Sequence, residues 1–181
     1  MKGFRRQNQL FSLCGLNCGL CPMFLGRHCP GCGGGEGNQS CKIAACSIGR
    51  GVEYCFLCGE YPCPKYEHFD EFDSFITHRN RKVDMEKARE IGMEAYNAEQ
   101  VEKAHILDIL LAGYNDGRKK TLFCAAANLL ELQQLRGILR QMEDRAGLET
   151  MPLKEKSAFA AGLLQAAAAE NRIDLKLRKK K

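Results

Sequence analysis

Ten of the eleven cysteines in this 181-residue chain fall between residues 14 and 63, and this concentration constrains the fold more than any other feature. A window with one cysteine in five residues and many glycines is too small to build an ordinary hydrophobic core. Either disulfide bonds or bound metal must hold such a segment together. Cys124 lies apart, and the window contains Cys14, Cys18, Cys21, Cys29, Cys32, Cys41, Cys46, Cys55, Cys58 and Cys63.

The spacing within this window favours metal over disulfides. Two residues between cysteines let both thiolates of a tight turn face one ion while backbone N–H groups donate to sulfur, as in a zinc knuckle. Disulfide frameworks do not need this repetition and belong to secreted chains. No signal-peptide cleavage site follows the basic N-terminal stretch, so we expect a cytoplasmic chain. Three pairs have the C-x-x-C spacing: Cys18/Cys21, Cys29/Cys32 and Cys55/Cys58.

All ten cysteines of the window are therefore predicted metal ligands, and two four-thiolate zinc ions would need eight of them. His28 and His68 lie beside the window, but a lone histidine is more often a surface or core residue than a ligand. Interleaved groupings that include Cys14 or Cys63 are as compatible with the spacing as local ones. Local grouping would give Cys18, Cys21, Cys29 and Cys32 for one ion, and Cys41, Cys46, Cys55 and Cys58 for the other.

The stretch "CPGCGGGEGNQSC" (29–41) could also be taken for a phosphate-binding loop. It lacks the lysine of the G-x-x-x-x-G-K-[ST] pattern, Glu36 would repel a phosphate, and no apolar strand precedes it. Glycine supplies the positive φ or the close backbone approach that a metal-binding turn needs, and Gly31 and Gly33 stand at such places. We therefore interpret the stretch as a knuckle followed by a flexible link.

An iron–sulfur cluster is the main alternative to zinc. The segment "CGLNCGLC" (14–21) has the C-x3-C-x2-C spacing of radical enzymes that use S-adenosylmethionine, but those enzymes need a barrel that the helical remainder does not predict. Proline follows Cys21, Cys29 and Cys63, as it follows a ligand cysteine in bacterial ferredoxins, although the complete ferredoxin run is missing. An electron-transfer or redox cluster therefore stays open.

Helical periodicity replaces the cysteine pattern from residue 70 onward. The fourth and longest predicted helix runs over 118–145, and its leucine stripe indicates core packing. We expect Cys124 on this helix to be a small buried hydrophobe. Five helices are predicted, and they begin at Asp70, Asp84, Asn97, residue 118 and Pro152.

The net charge of +5 resides in the last ten residues, "RIDLKLRKKK", which we expect to form a frayed, solvated tail. The other 171 residues are neutral overall, so no nucleic-acid signal exists beyond this tail. No run of 18 apolar residues predicts a membrane span. The acids of 67–73 are expected to form a solvated helix start, and the sequence shows no catalytic set, which leaves enzymatic activity uncertain.

Several motifs of the chain together resemble one protein family. In order they are "CGLNCGLCP", "CPGC", "CKIAAC", "GVEYCFLCGEYPC" and "DGRKKTLFCAAANLL". They are similar to the DUF3795 family of bacterial and archaeal proteins of unknown function, and the similarity covers most of residues 12–135. The resemblance implies that the ten cysteines are a shared set, that metal binding is the usual surmise, and that the cysteine-rich head is combined with helices.

The predicted fold is mainly α, with a loop-rich N-terminal module stapled by cysteine and metal and packed on an antiparallel helical bundle. We expect a cysteine-rich module over 1–69, a helical domain over 70–172 and a basic tail over 173–181. The predicted function is metal binding, with structural zinc that holds residues 12–66 folded for a protein partner or for redox sensing. Iron–sulfur electron transfer is the alternative.

Overall fold

The computed structural model describes residues 4–35 and 41–180, and its fold is mainly helical, as predicted. Among these residues the only β-type pairing is an isolated antiparallel bridge between Phe11 and Asn17. No helix in the described parts is both long and apolar enough to cross a membrane. The seven α-helices within these two ranges are α1 Pro22–Leu25, α2 Lys42–Arg50, α3 Arg81–Ile91, α4 Met93–Gly113, α5 Lys120–Leu129, α6 Leu132–Glu143 and α7 Leu153–Glu170.

The chain divides into two compact units. The first covers the described residues up to Ala98 and from Arg178 onward, and the second covers Glu99–Leu177. The division therefore falls inside α4, whereas the change from a cysteine pattern to helical periodicity had predicted a boundary at residue 70. The reason is that the cysteine-rich head shares its core with α3 and the start of α4.

The first unit has a genuine hydrophobic core, which the sequence had led us to think too small to form. The rings of Phe11 and Tyr96 lie 4.7 Å apart between centroids, and those of Phe11 and Tyr54 lie 5.8 Å apart. Met85 and Ala88 from α3 are buried in the same cluster. The head therefore supplies aromatic rings, and the following helices supply the opposite wall.

Residues between the first cysteines tie the head to α3. The Asn17 amide donates to the Asp84 carboxylate over 3.1 Å and to the Tyr96 hydroxyl over 3.0 Å, and all three groups are buried. Gly15 has φ of +89°, and a Cβ atom there would lie 2.3 Å from the carbonyl oxygen of Arg81. The turn after Cys14 therefore requires glycine for its conformation and for its close contact with α3.

The predicted helix at Asp70 is wrong, because residues 67–80 form turns in the structure. The carboxylate of Asp73 accepts N–H hydrogen bonds from His78 and Arg178, each at 2.8 Å. Arg178 also accepts the Asp73 N–H over 2.7 Å, so this part of the tail is anchored rather than frayed. Asp73 therefore holds the turn that leads to His78 and binds the backbone of Arg178 near the C-terminus. The acidic residues of this segment do not begin a helix.

Three other predicted helix boundaries also differ from the structure. Asp84 lies inside α3, where the amide of Asn17 binds its carboxylate, and Asn97 lies inside α4, where it accepts from Asn8 over 3.0 Å. The predicted helix over 118–145 is two helices, because Leu130 is extended and Glu131 forms a capping box with Gln134.

The second unit is built around α5, α6 and α7, and α7 packs on the other two. Pro152 caps α7 as predicted, and Cys124 is buried on α5, as expected of a small hydrophobe. The carbonyl of Leu130 at the α5–α6 break accepts a hydrogen bond from the buried ammonium of Lys103 over 2.8 Å. The fully buried side chains of this unit include Leu107, Leu110, Phe123, Leu130, Leu135 and Leu164.

Candidate metal-binding site

Two of the three C-x-x-C pairs fold into the same local structure. Cys18 and Cys55 each begin a 3₁₀ turn, and Cys21 and Cys58 each donate a backbone hydrogen bond of 3.0 Å to the carbonyl of the first cysteine. Metal-binding knuckles use a compact turn of this kind, although Cys55 and Cys58 line one pocket together whereas Cys21 does not line the pocket of Cys18.

The third pair, Cys29/Cys32, forms a different turn in which Gly31 and Gly33 have φ of +81°. Its backbone pairs with the N-terminal segment: Arg6 N–H donates to Gly33 O over 3.2 Å, and Cys32 N–H donates to Gln9 O over 3.3 Å. The predicted flexible link continues beyond Gly35, and residues 36–40 lie outside the described residues. The glycines therefore shape a cysteine turn, as their sequence positions indicated.

Four cysteines from three stretches of the chain line one pocket, which we call the first pocket: Cys14, Cys18, Cys32 and Cys41. Its volume is about 420 Å³. Phe4, Leu16 and Phe69 are among its apolar walls, and Lys42 and Arg81 add positive charge. The grouping combines Cys14 with one cysteine from each of two C-x-x-C pairs, so it is an interleaved one.

Each sulfur of the first pocket lies beside a hydrogen-bonding group. Ala44 N–H donates to Cys41 Sγ over 3.4 Å, and the Ser12 hydroxyl lies 3.2 Å from Cys14 Sγ. Burial raises the pKa of Cys18 and of Cys32, while a backbone hydrogen bond, from Cys32 to Cys18 and from Leu13 to Cys32, opposes part of the rise. The hydrogen bonds favour the thiolate, because a sulfur anion accepts them better than a neutral thiol, but burial outweighs them at Cys18 and Cys32.

Arg81 is the most unusual charged residue at the first pocket. Its side chain is buried, its guanidinium lies 3.7 Å from the centroid of the Phe69 ring, and its Nε has no hydrogen-bond partner. Burial lowers the pKa of this guanidinium, and Cys14 and Cys18 are among the groups whose negative charge would oppose the shift. A buried cation needs a nearby anion, and the sulfurs of this pocket would supply one only as thiolates.

A second pocket is lined by four cysteines of the downstream segment: Cys46, Cys55, Cys58 and Cys63. Its volume is about 30 Å³. Burial raises the pKa of Cys55 to about 11, and the neighbouring Tyr66 opposes this shift. The exposed Arg50 donates to Cys58 Sγ over 3.6 Å and forms an ion pair with Glu60 at 2.7 Å. Ile43 and Lys65 line both pockets, so the pockets adjoin.

The remaining predicted ligands lie outside both pockets. Cys21 lies close enough to Cys18 for its charge to raise the pKa of Cys18, but it does not line the first pocket. Cys29 lies in a surface groove beside the exposed His28. His68 is exposed and pairs with Glu71 over 2.5 Å, which raises its pKa. Neither histidine therefore lines the first or the second pocket.

All eleven cysteines are thiols that form no disulfide bond. In the parts of the chain that the structure describes, no three Cys, His, Asp or Glu side chains converge on one point as a preformed ion site. The thiols therefore line their pockets without lying close enough to one another to bind an ion as they stand. A bound ion would have to draw the sulfurs together, and a larger metal centre would have to occupy the space between them. Their donor chemistry, four sulfurs per pocket, fits thiophilic metals such as zinc and iron.

Sequence reasoning found the cysteines but missed the groups around them. Arg81 carries no motif, and nothing in its sequence neighbourhood connects it with Cys14, 67 positions earlier, while Ser12 and Tyr66 lie near cysteines in the sequence but belong to no ligand pattern. Only the placement of α3 against the turn after Cys14 brings Arg81 to the first pocket.

Comparison of the chain with protein-family models, with curated proteins and with solved structures found no match. The resemblance to the DUF3795 family therefore stays a prediction. Function must be inferred from the pockets themselves.

Proposed function

We propose that residues 12–66 form a metal-binding module in which cysteine thiolates hold structural metal, with zinc as the first expectation. The observation that carries the proposal is the grouping of eight cysteines, four around each of two adjoining pockets. Two four-thiolate ions per chain would use these eight and would not need Cys21 or Cys29. The proposed grouping is one of the interleaved arrangements that the spacing left open.

Charge supports the proposal at the first pocket. Four thiolates around a divalent ion carry a net charge of about −2, and the buried guanidinium of Arg81 would neutralise part of it. Without metal, burial keeps Cys18 and Cys32 protonated, so neither would supply an anion to Arg81. Metal binding would therefore stabilise two kinds of buried group. It would convert the thiols to metal-bound thiolates, and the negative charge of these thiolates would balance the Arg81 guanidinium.

The proposed role is structural, in a cytoplasmic protein that presents a surface to a protein partner or senses oxidants through its thiolates. No reaction is proposed, because four-thiolate coordination lacks the open position of catalytic zinc. Membership of the DUF3795 family, stapling of the head by metal and an antiparallel arrangement of the helices belong to the same proposal.

Thiol alkylation of the full chain, purified without oxygen, tests this function. Before chelation, we expect the eight pocket cysteines to react slowly with iodoacetamide and Cys29 to react fast, as peptide mass spectrometry can resolve. Chelator should accelerate the eight and leave the buried Cys124 unchanged, because Cys124 is shielded by packing alone. Equal rates for the pocket thiols with and without chelator would overturn the proposal.

A further inference from the structure

We propose that the two pockets take occupants of different size: a single metal ion in the second pocket and an iron–sulfur cluster of the [4Fe–4S] type in the first, with Arg81 as its buried counter-charge. This inference deepens the proposed function and rests on it, because both occupants are held by the cysteine thiolates. It gives the first pocket redox chemistry and leaves the second structural.

The volumes of the two pockets differ more than tenfold. The second, at about 30 Å³, has room for one or two water-sized atoms, which suits one ion. The first, at about 420 Å³, is far larger than an ion needs. A tetrahedral zinc site brings its four sulfurs to within about 3.8 Å of one another, because each Zn–S bond is about 2.3 Å long.

The arrangement of the first four cysteines agrees with a larger occupant. They come from three stretches of the chain, with Cys14 and Cys18 in one turn, and they line the space without converging on a point, which among the described residues is also true of the cysteines of the second pocket. A cluster of four irons and four sulfides would lie between such thiols, with one cysteine on each iron. The four sulfurs then bind four different iron atoms around the cluster and do not all need to approach a single atom.

The surroundings of the first pocket suit such a cluster. Phe4, Leu16 and Phe69 form apolar walls around it. A hydrogen bond from the amide of Ala44 reaches the Cys41 sulfur, and the buried guanidinium of Arg81 adds positive charge. Hydrogen bonds to sulfur and nearby charge are the means by which proteins set the reduction potential of iron–sulfur clusters. Among the described residues, the lining contains no histidine or carboxylate.

Metal, sulfide and visible absorption of four full-length proteins test the inference: the wild type, Cys41→Ser, Cys58→Ser and Cys29→Ser, all purified and reconstituted without oxygen with iron, sulfide and zinc. We expect the wild type to hold about four irons, four sulfides and one zinc, with absorption near ~400 nm. Cys41→Ser should lose iron, sulfide and colour but keep zinc. Cys58→Ser should lose zinc and keep the colour, and Cys29→Ser should keep both.

Two results would overturn the inference, and they are distinguishable from each other. Two colourless zinc ions in the wild type, one lost in each variant, would leave the proposed function standing and refute the cluster. A wild type that retains no metal would refute both proposals. Because the two cysteine variants are expected to fail in opposite ways, general misfolding cannot imitate the predicted pattern.

The role of Arg81 has its own test in the midpoint potential of the cluster. Arg81→Gln should shift the potential to a more negative value, because the lost positive charge stabilised the reduced cluster. Arg81→Lys should retain most of the wild-type potential. Arg89→Gln, the same change on the exposed side of α3, is the control and should leave the potential unaltered. A potential unchanged in Arg81→Gln would overturn this assignment.

Discussion

Gly15 shows how a residue between two cysteines can be as constrained as the cysteines. Its φ is +89°, and a Cβ atom at this position would lie only 2.3 Å from the carbonyl oxygen of Arg81. Gly15→Ala should therefore lower the free energy of unfolding by about 2–4 kcal/mol, from backbone strain and overpacking together. Urea denaturation followed by circular dichroism measures this loss. Gly49→Ala, at a helical site with open space around it, should cost nothing, and equal losses in both variants would contradict the account.

His78 makes the stability of the first unit depend on pH. Burial, assisted by Arg81, lowers the pKa of His78 to about 4 from an ordinary value of 6.5. The unfolded chain therefore binds a proton between these values that the folded chain does not, so stability should fall as pH drops from about 6.5 to about 4. Because the ring is partly exposed, the loss at this site should be on the order of 1–2 kcal/mol.

Substitution separates this effect from other acid-sensitive groups. His78→Gln should flatten the pH dependence of the unfolding free energy between pH 4 and 6.5. His68→Gln should not flatten it, because the fully exposed His68 has a raised pKa and would instead lose its small contribution as pH rises. Identical pH profiles for the wild type and His78→Gln would contradict the assignment.

The helix pair α5 and α6 illustrates what periodicity alone could not reveal. Leucines continue at helical spacing from 122 to 139, so a single helix was the natural prediction. The chain nevertheless breaks at Leu130, and Glu131 starts α6 with a reciprocal capping box. Glu131 and Gln134 stand at capping-box spacing, but glutamate is a less usual cap than serine or aspartate, so the signal was weak.

The capping box gives a prediction for α6. Glu131→Ala should destabilise the second unit by about 1 kcal/mol, since it leaves a backbone N–H at the helix start without its acceptor. Thermal unfolding followed by circular dichroism detects a loss of this size. Glu143→Ala, at the other end of α6, is the control and should change the midpoint little. An unchanged unfolding midpoint in Glu131→Ala would show that the break between α5 and α6 does not depend on the capping box.

The turn of Cys29 to Cys32 distinguishes the pocket grouping from the local one. Cys32 lines the first pocket, whereas Cys29 lies in a surface groove. Cys32→Ser should therefore lose the metal of the first pocket, and Cys29→Ser should retain it. If the cysteines instead grouped by sequence neighbours, the two variants would lose metal equally, as plasma mass spectrometry would show.

For the complete chain, the sequence predicted the mainly helical fold, the cysteine turns and the last helix from Pro152, because these depend on local spacing. It could not predict the shared core of the first unit. The contacts of Phe11 with Tyr96 and of Asn17 with Asp84 join residues 67 or more positions apart. Nothing in the local pattern of either segment marks them as partners, and the same holds for Arg81 and its cysteines.

This shared core changes what metal removal should do. Chelation should increase amide hydrogen exchange not only in the head but also in α3 and the first turns of α4, because these pack on the same aromatic cluster. Helices α5, α6 and α7 should keep their protection. Exchange confined to residues 12–66 would contradict the shared core.

The most direct measurement of the central claim is metal content per chain, by plasma mass spectrometry on full-length protein purified without oxygen. The account predicts two occupied centres, each lost separately when one cysteine of its pocket becomes serine. A folded, metal-free chain that does not take up zinc or iron would contradict this prediction. The buried thiols would then bind no metal, and no thiolate charge would balance the Arg81 guanidinium.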